Sequence, residues 1–154
     1  MLTVSNKNET QALAAKLAKL LPLGSVVTLE GNLGSGKTTF AQGFAKGLGI
    51  QRAVKSPTYT IVREYPLDDS ASFVHIDAYR LEEGGADTVD FDYLMHDKTI
   101  VMIEWARFMA DFLPENYIQI NFTPLEDDQA RSIQVEVIGS VDHPYHQIVK
   151  QWLN

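Results

Sequence analysis

Hydrophobic and polar positions along the chain alternate between two periods, and the change of period marks the elements. From Asn8 to Leu21, Leu13, Leu17 and Leu20 recur with Ala12, Ala14, Ala15 and Ala18 at helical spacing, which predicts an amphipathic helix. Asn8 is its expected N-cap, and Pro22 and Gly24 end it. Ser25 to Glu30 is β-branched and apolar, as a buried strand is. Thr39 to Leu48 returns to helical spacing through Phe40, Phe44 and Leu48 and closes at Gly47 and Gly49.

Strand patterns dominate the remainder of the chain. Thr58 to Tyr65 alternates, residues 66–70 read as a hairpin connection, and Ser72 to Asp77 is the antiparallel partner. Leu81 to Lys98 is acidic and irregular, with room for short helices. Lys98 to Glu104 is an apolar run ending in an acid, which suits a strand buried on both faces. A short helix is expected from Ala106 to Asp111. Tyr117 to Phe122 and Arg131 to Val137 alternate and pair across an acidic loop, and Val141 to Asn154 forms a closing helix. Without repeats or a linker, residues 1–154 predict one α/β domain with a mixed central sheet flanked by helices.

Composition narrows the chemistry. The chain has 154 residues, 45% hydrophobic and 21% charged, enough for a full core. It has no cysteine, which excludes disulfides and thiolate metal sites. The start of the chain lacks a signal-peptide pattern and no apolar run reaches bilayer-spanning length, so a soluble cytoplasmic protein is expected. The formal net charge is -7, and the basic residues form no run. A direct grip on nucleic acid calls for a basic face, and none is visible.

Between the first strand and second helix stands GNLGSGKT, Gly31 to Thr38, which fits the phosphate-loop pattern G-x-x-x-x-G-K-S/T at every fixed position. Glycines at 31, 34 and 36 let successive N–H groups face a polyphosphate, and the following helix adds its positive dipole end. Gly34, Ser35, Gly36, Lys37, Thr38 and Thr39 are the expected nucleotide contacts. Lys37 is placed to reach the β- and γ-phosphates, and the Thr38 hydroxyl to hold magnesium.

A triphosphate enzyme also needs a carboxylate near the metal, commonly at the end of a buried strand. Glu104 and Asp77 are the two candidates. Ser56-Pro57-Thr58 occupies the region where nucleotide switches place a γ-phosphate-sensing hydroxyl, and it also reads as an ordinary turn. Trp105, after the acid, packs either near the nucleotide or into the core. His75, His96, His143 and His146 have no metal-like spacing. No Asn-Lys-x-Asp comes after the loop, which disfavours guanine and points to ATP. The five arginines are well separated, so no kinase-type lid is visible. A small-molecule kinase and a nucleotide-gated binding module with negligible turnover remain alternatives.

Taken together, GNLGSGKTTF, SPTYTIVREY, HIDAYRL and IEWA, in this order and at this separation, resemble the bacterial TsaE family, formerly called YjeE. The likeness runs from about Asn8 to Arg131 and fades after Gly139. It implies a small, weak magnesium-dependent P-loop ATPase required for threonylcarbamoyladenosine on tRNAs that read codons starting with A. Such a protein does not itself transfer the threonylcarbamoyl group. It acts with TsaD and TsaB, and its ATPase resets that machinery between turnovers, so tRNA is met through the partners. The resemblance also implies Thr38 and Glu104 on magnesium, with Asp77 and Ser56-Pro57-Thr58 near the γ-phosphate. It further implies Thr10 and Arg131 at the adenine.

Overall fold

The computed structural model describes residues 2–32, 34–54, 61–127 and 129–154. Its strands are β1 (Leu2–Val4), β2 (Val26–Glu30), β3 (Val62–Pro66), β4 (Ser72–Asp77), β5 (Thr99–Glu104), β6 (Tyr117–Pro124) and β7 (Arg131–Ile138). They form one sheet in the order β1-β7-β6-β2-β5-β4-β3. The helices are α1 (Lys7–Leu20), α2 (Lys37–Gly47), α3 (Phe91–Leu94) and α4 (Tyr145–Trp152), with 3-10 turns at Tyr79–Glu83, Ala86–Thr88 and Ala106–Phe112. The single α/β domain with a mixed sheet is therefore as expected.

Direction within the sheet decides what meets at its edge. β2 lies parallel to both β5 and β6, and β4 is parallel to β5. The outer pairs β3–β4, β6–β7 and β1–β7 are antiparallel. The carboxyl ends of β2, β4, β5 and β6 thus share one edge with the amino ends of β3 and β7. Ligands of open α/β sheets bind along such an edge, where chain order reverses. Here the reversal is at β2.

Two apolar layers sandwich the sheet. Val27, Leu29, Phe73, Met102, Ile118 and Ile120 pack with Leu17, Phe40, Phe44 and Trp152 beneath α1, α2 and α4. Val26, Val74, Ile76, Val101 and Ile103 pack on the other face with Phe91, Trp105 and Met109. Every residue of β5 is buried, the environment its apolar run called for. The closing helix is anchored by polar tips: Trp152 Nε1 donates to the Leu13 carbonyl at 2.9 Å, and the Tyr145 hydroxyl accepts from Val26 N at 3.2 Å.

The α1–α2 contact sets the approach to the loop. A Cβ at Gly43 would lie 2.4 Å from Gln11 Cα, and one at Gly47 would lie 2.7 Å from Ala15 Cα. Both contacts advance four residues in the same direction, so the helices run side by side in parallel. The amino end of α1 therefore lies beside the first turn of α2. Gly47 belongs inside α2 as a packing residue, while Gly49, at φ +89°, comes after the helix end.

Several boundaries differ from the sequence reading. Asn6, not Asn8, caps α1: its side chain accepts from Glu9 N at 2.9 Å, while the Glu9 carboxylate accepts from Ser5 N at 3.1 Å. β1 escapes the sequence pattern, because three residues carry no periodicity; it exists because Leu2 to Val4 pair with Arg131 to Ile133. Of the span expected for the third strand, residues 58–60 lie outside the described residues; Ile61, at φ +61°, is left-handed and not part of β3, which runs from Val62 to Pro66. The short helix after β5 is a 3-10 segment interrupted at Met109. α4 begins at Tyr145, after Pro144, rather than at Val141.

Candidate active site

The loop leaves the end of β2 and returns as α2, and its backbone takes the conformations its glycines are expected to permit. Gly34 has φ +78°, and Gly36, the residue before α2, has φ +111°. Both are left-handed values that only glycine adopts at little cost. The Ser35 hydroxyl is buried in the loop with no hydrogen-bond partner among the described residues. A buried orphan of this kind costs stability, about 1–3 kcal/mol, and marks a place where an absent group can bond.

Beside the loop stand two carboxylates. The parallel register pairs Asp77 directly with Glu104 at the ends of β4 and β5. Alternation along the strands sets both on the face covered by α2, with Phe73 and Met102. Each is less than 5% exposed. Like charges abreast in a sheet repel, so a cation is needed near them. Lys37, itself buried, is a cation that the fold supplies there.

Burial lowers the Lys37 ammonium pKa, and Glu104, Asp77 and Glu30 oppose that shift in decreasing order. Lys37 Nζ donates to the Gly31 carbonyl at 2.5 Å and lies 4.1 Å from the centre of the Trp105 ring. A cation over a desolvated indole is favourable by about 2 kcal/mol. Trp105 is buried in the core, and its face also covers the loop lysine. Its φ of +59° is a strained value for a bulky residue beside a functional site.

Two further residues belong to this site, and the sequence reading gives neither a role there. His75 Nε2 lies 2.7 Å from Glu104 Oε2, with both side chains buried. With Glu104 ionised, Nε2 carries the proton and donates it to the carboxylate, which fixes that acid's orientation. The available signal is the H-x-D spacing, which on a strand puts His75 on the same face as Asp77. Glu30, the last residue of β2, accepts from Ala106 N at 3.2 Å. Burial raises its carboxyl pKa, against the opposing pull of Arg107, the Ala106 N–H and Lys37. Its signal is an acid immediately before the loop.

The other expected contacts are spread over three elements. Thr38 and Thr39 lie half-buried in the first turn of α2. Thr10 is buried in α1, where its hydroxyl donates to the Asn6 carbonyl at 3.2 Å. It lies at the amino end that α1 brings beside α2. Arg131, at the start of β7, donates from Nε to the Ser35 carbonyl at 2.8 Å and from Nη2 to the Gly34 carbonyl at 2.9 Å. Ser56, Pro57 and Thr58 lie outside the described residues.

Among the described residues no group of three or more His, Asp or Glu side chains forms a metal cage. Magnesium takes one or two carboxylates and completes its shell with water and phosphate oxygens. The chemistry of Thr38, Glu104 and Asp77 fits that ion, being all oxygen donors.

A mixed sheet, a glycine-rich loop at its switch point and paired acids beside the loop lysine define a protein of P-loop NTPase-like architecture. The family model for threonylcarbamoyl adenosine biosynthesis protein TsaE matches residues 4–133, and the chain belongs to the TsaE family. It is 42% identical over 135 residues to the tRNA threonylcarbamoyladenosine biosynthesis protein TsaE of Bacillus subtilis, covering 88% of this chain and 84% of that one. The protein of the same name from Streptomyces coelicolor is 41% identical over 132 residues, covering 82% and 88%. The crystal structure of Bacillus subtilis YdiB superposes with a TM-score of 0.81 at 34% identity, covering 99% of this chain and 92% of that one. The resemblance seen in the motifs is thus borne out.

Proposed function

We propose that this chain is a magnesium-dependent ATPase that serves threonylcarbamoyladenosine formation on tRNA together with TsaD and TsaB. The observation that carries the reading is the juxtaposition of Asp77 and Glu104 with Lys37 at the mouth of the loop, in a member of the TsaE family. The loop amides from Gly34 to Thr39 cradle the phosphates, and Lys37 moves from the Gly31 carbonyl to the β- and γ-phosphate oxygens. Thr38 and Glu104 are the residues that hold magnesium, which offsets phosphate charge when bound. His75 keeps Glu104 aimed. Asp77 orients the attacking water. Ser56-Pro57-Thr58 is assigned to the γ-phosphate side, and Thr10 to the adenine side.

The net charge of -7 supports a division of labour in which the partners hold the tRNA. The deciding experiment is tRNA modification by purified TsaD and TsaB over many turnovers, with and without this chain. Added chain is expected to raise the number of turnovers, and the Lys37→Ala variant to give no gain. Equal yields with and without the chain would reject the role. A gain preserved in the variant would reject the loop as its engine.

A further inference from the structure

We infer that Arg131 is a positioning residue that holds the phosphate loop in its anion-binding shape, acting on the loop's carbonyls rather than reading the nucleobase. The inference rests on the proposed phosphate-binding role of the loop. Each of the three guanidinium nitrogens donates to a backbone carbonyl: Nε to Ser35 at 2.8 Å, Nη2 to Gly34 at 2.9 Å and Nη1 to Ala130 at 2.8 Å. Nε and Nη2 form one edge of the planar fork, so a single rigid group grips two consecutive loop carbonyls.

Peptide planarity turns that grip into a constraint on the amides. In a trans peptide the carbonyl of one residue and the N–H of the next point in opposite directions. With the Gly34 and Ser35 carbonyls drawn toward Arg131, the Ser35 and Gly36 N–H groups must point away from it. The Ser35 N–H closes the turn onto the Asn32 carbonyl at 3.1 Å. The Gly36 N–H, one residue before α2, likewise faces away from Arg131, at the helix end whose dipole favours an anion. The side chain also lies over Gly36, where an added Cβ would meet Arg131 Nε at 3.6 Å.

The strand supplies the rigidity. Arg131 is paired with Pro124 of β6 on one side and with Val4 of β1 on the other. Its Cα is thus fixed between two neighbours, and the loop is tied to the sheet from a strand far later in the chain. Glycine-rich loops are conformationally free when untied, and ordering one at the moment of binding lowers affinity.

The test compares binding of ATP, GTP and inorganic tripolyphosphate to the wild-type chain and to Arg131→Ala and Arg131→Lys, with amide hydrogen exchange on the nucleotide-free proteins. A loop-holding residue predicts that Arg131→Ala weakens all three ligands by the same factor, at least about tenfold, or about 1.4 kcal/mol. The ATP-to-GTP ratio stays unchanged. Arg131→Lys recovers only part, because one ammonium cannot span two carbonyls in fork geometry. Exchange at Ser35 and Gly36 accelerates in Arg131→Ala while the amides of β5 keep their protection. Loss confined to ATP, or a shifted ATP-to-GTP ratio, would assign Arg131 to the base and overturn the inference. So would unchanged exchange at the loop amides. Failure of the wild-type chain to bind any of the three would instead reject the phosphate-loop reading, while hydrogen exchange would still report whether Arg131 orders the loop.

Discussion

At the level of single residues, the site is a set of charges kept out of water and balanced against one another. Asp77 and Glu104 sit abreast, Lys37 offsets them, and His75 Nε2 lies against Glu104 Oε2. Replacing Glu104 with Gln keeps a hydrogen-bonding oxygen and removes the charge. Magnesium-dependent phosphate release is therefore expected to fall by about 10²-fold or more, with metal titration of ATP hydrolysis as the measurement. A wild-type metal titration curve would shift the ligand role to Asp77. Glu30 makes a pH prediction of definite sign. Burial raises its folded pKa above the ordinary carboxyl value of 4.5. The folded chain then keeps a proton that the unfolded chain has lost, so this group makes stability fall as pH climbs from 4.5 through the raised value. Glu30→Gln is expected to unfold at a higher temperature than wild type at pH 7, with the difference vanishing below about pH 4. A lower melting temperature at pH 7 would mean that Arg107 and Lys37 outweigh burial.

At the level of elements, the parallel contact between α1 and α2 matters more than either helix's propensity. Gly43 is a poor helix residue, and alanine there gains about 1 kcal/mol of intrinsic propensity. Its new methyl would lie 2.4 Å from both Gln11 Cα and the Gln11 carbonyl oxygen. Overpacking of that kind costs about 1–3 kcal/mol, and two packed backbones cannot yield as a flexible side chain can. Gly43→Ala is therefore expected to destabilise the protein, read as a lower urea midpoint. An unchanged or higher midpoint would show that the helices separate easily. Any such separation also moves the amino end of α1 away from the loop, so nucleotide affinity should fall with stability.

For the whole molecule, net charge bears on the proposed division of labour with partners that hold the tRNA. The chain carries 20 acidic and 13 basic residues. Lys37, Arg107 and Arg131 are engaged at the loop or beside it. Binding of tRNA to the chain alone is expected to be weak, with a shallow dependence of log K on log salt, since a protein that neutralises many phosphates shows a slope of about -0.9 for each. A slope of several units in a filter-binding titration would establish a direct grip. Among the described residues no helix is long and apolar enough to cross a membrane.

Periodicity and motif spacing are local, and they determine a good part of this protein. The strand before the loop, the helix after it, the pairing of residues 72–77 with the strand before them, and Glu104 at the end of a buried run are all legible along the chain. Each rests on side-chain alternation or on residues adjacent in the chain. Long-range register lies beyond that reach. It sets Asp77 against Glu104, His75 against the same acid, Leu2 to Val4 against β7, and Arg131 against the carbonyls of a loop far earlier in sequence. Those contacts depend on strand order and direction, which a pattern along one strand does not contain, because the same alternation serves either neighbour and either direction. GNLGSGKT by itself fits the pattern of a phosphate loop. The groups that surround the loop with charge, and that hold its carbonyls, arrive from separate strands brought together by the sheet.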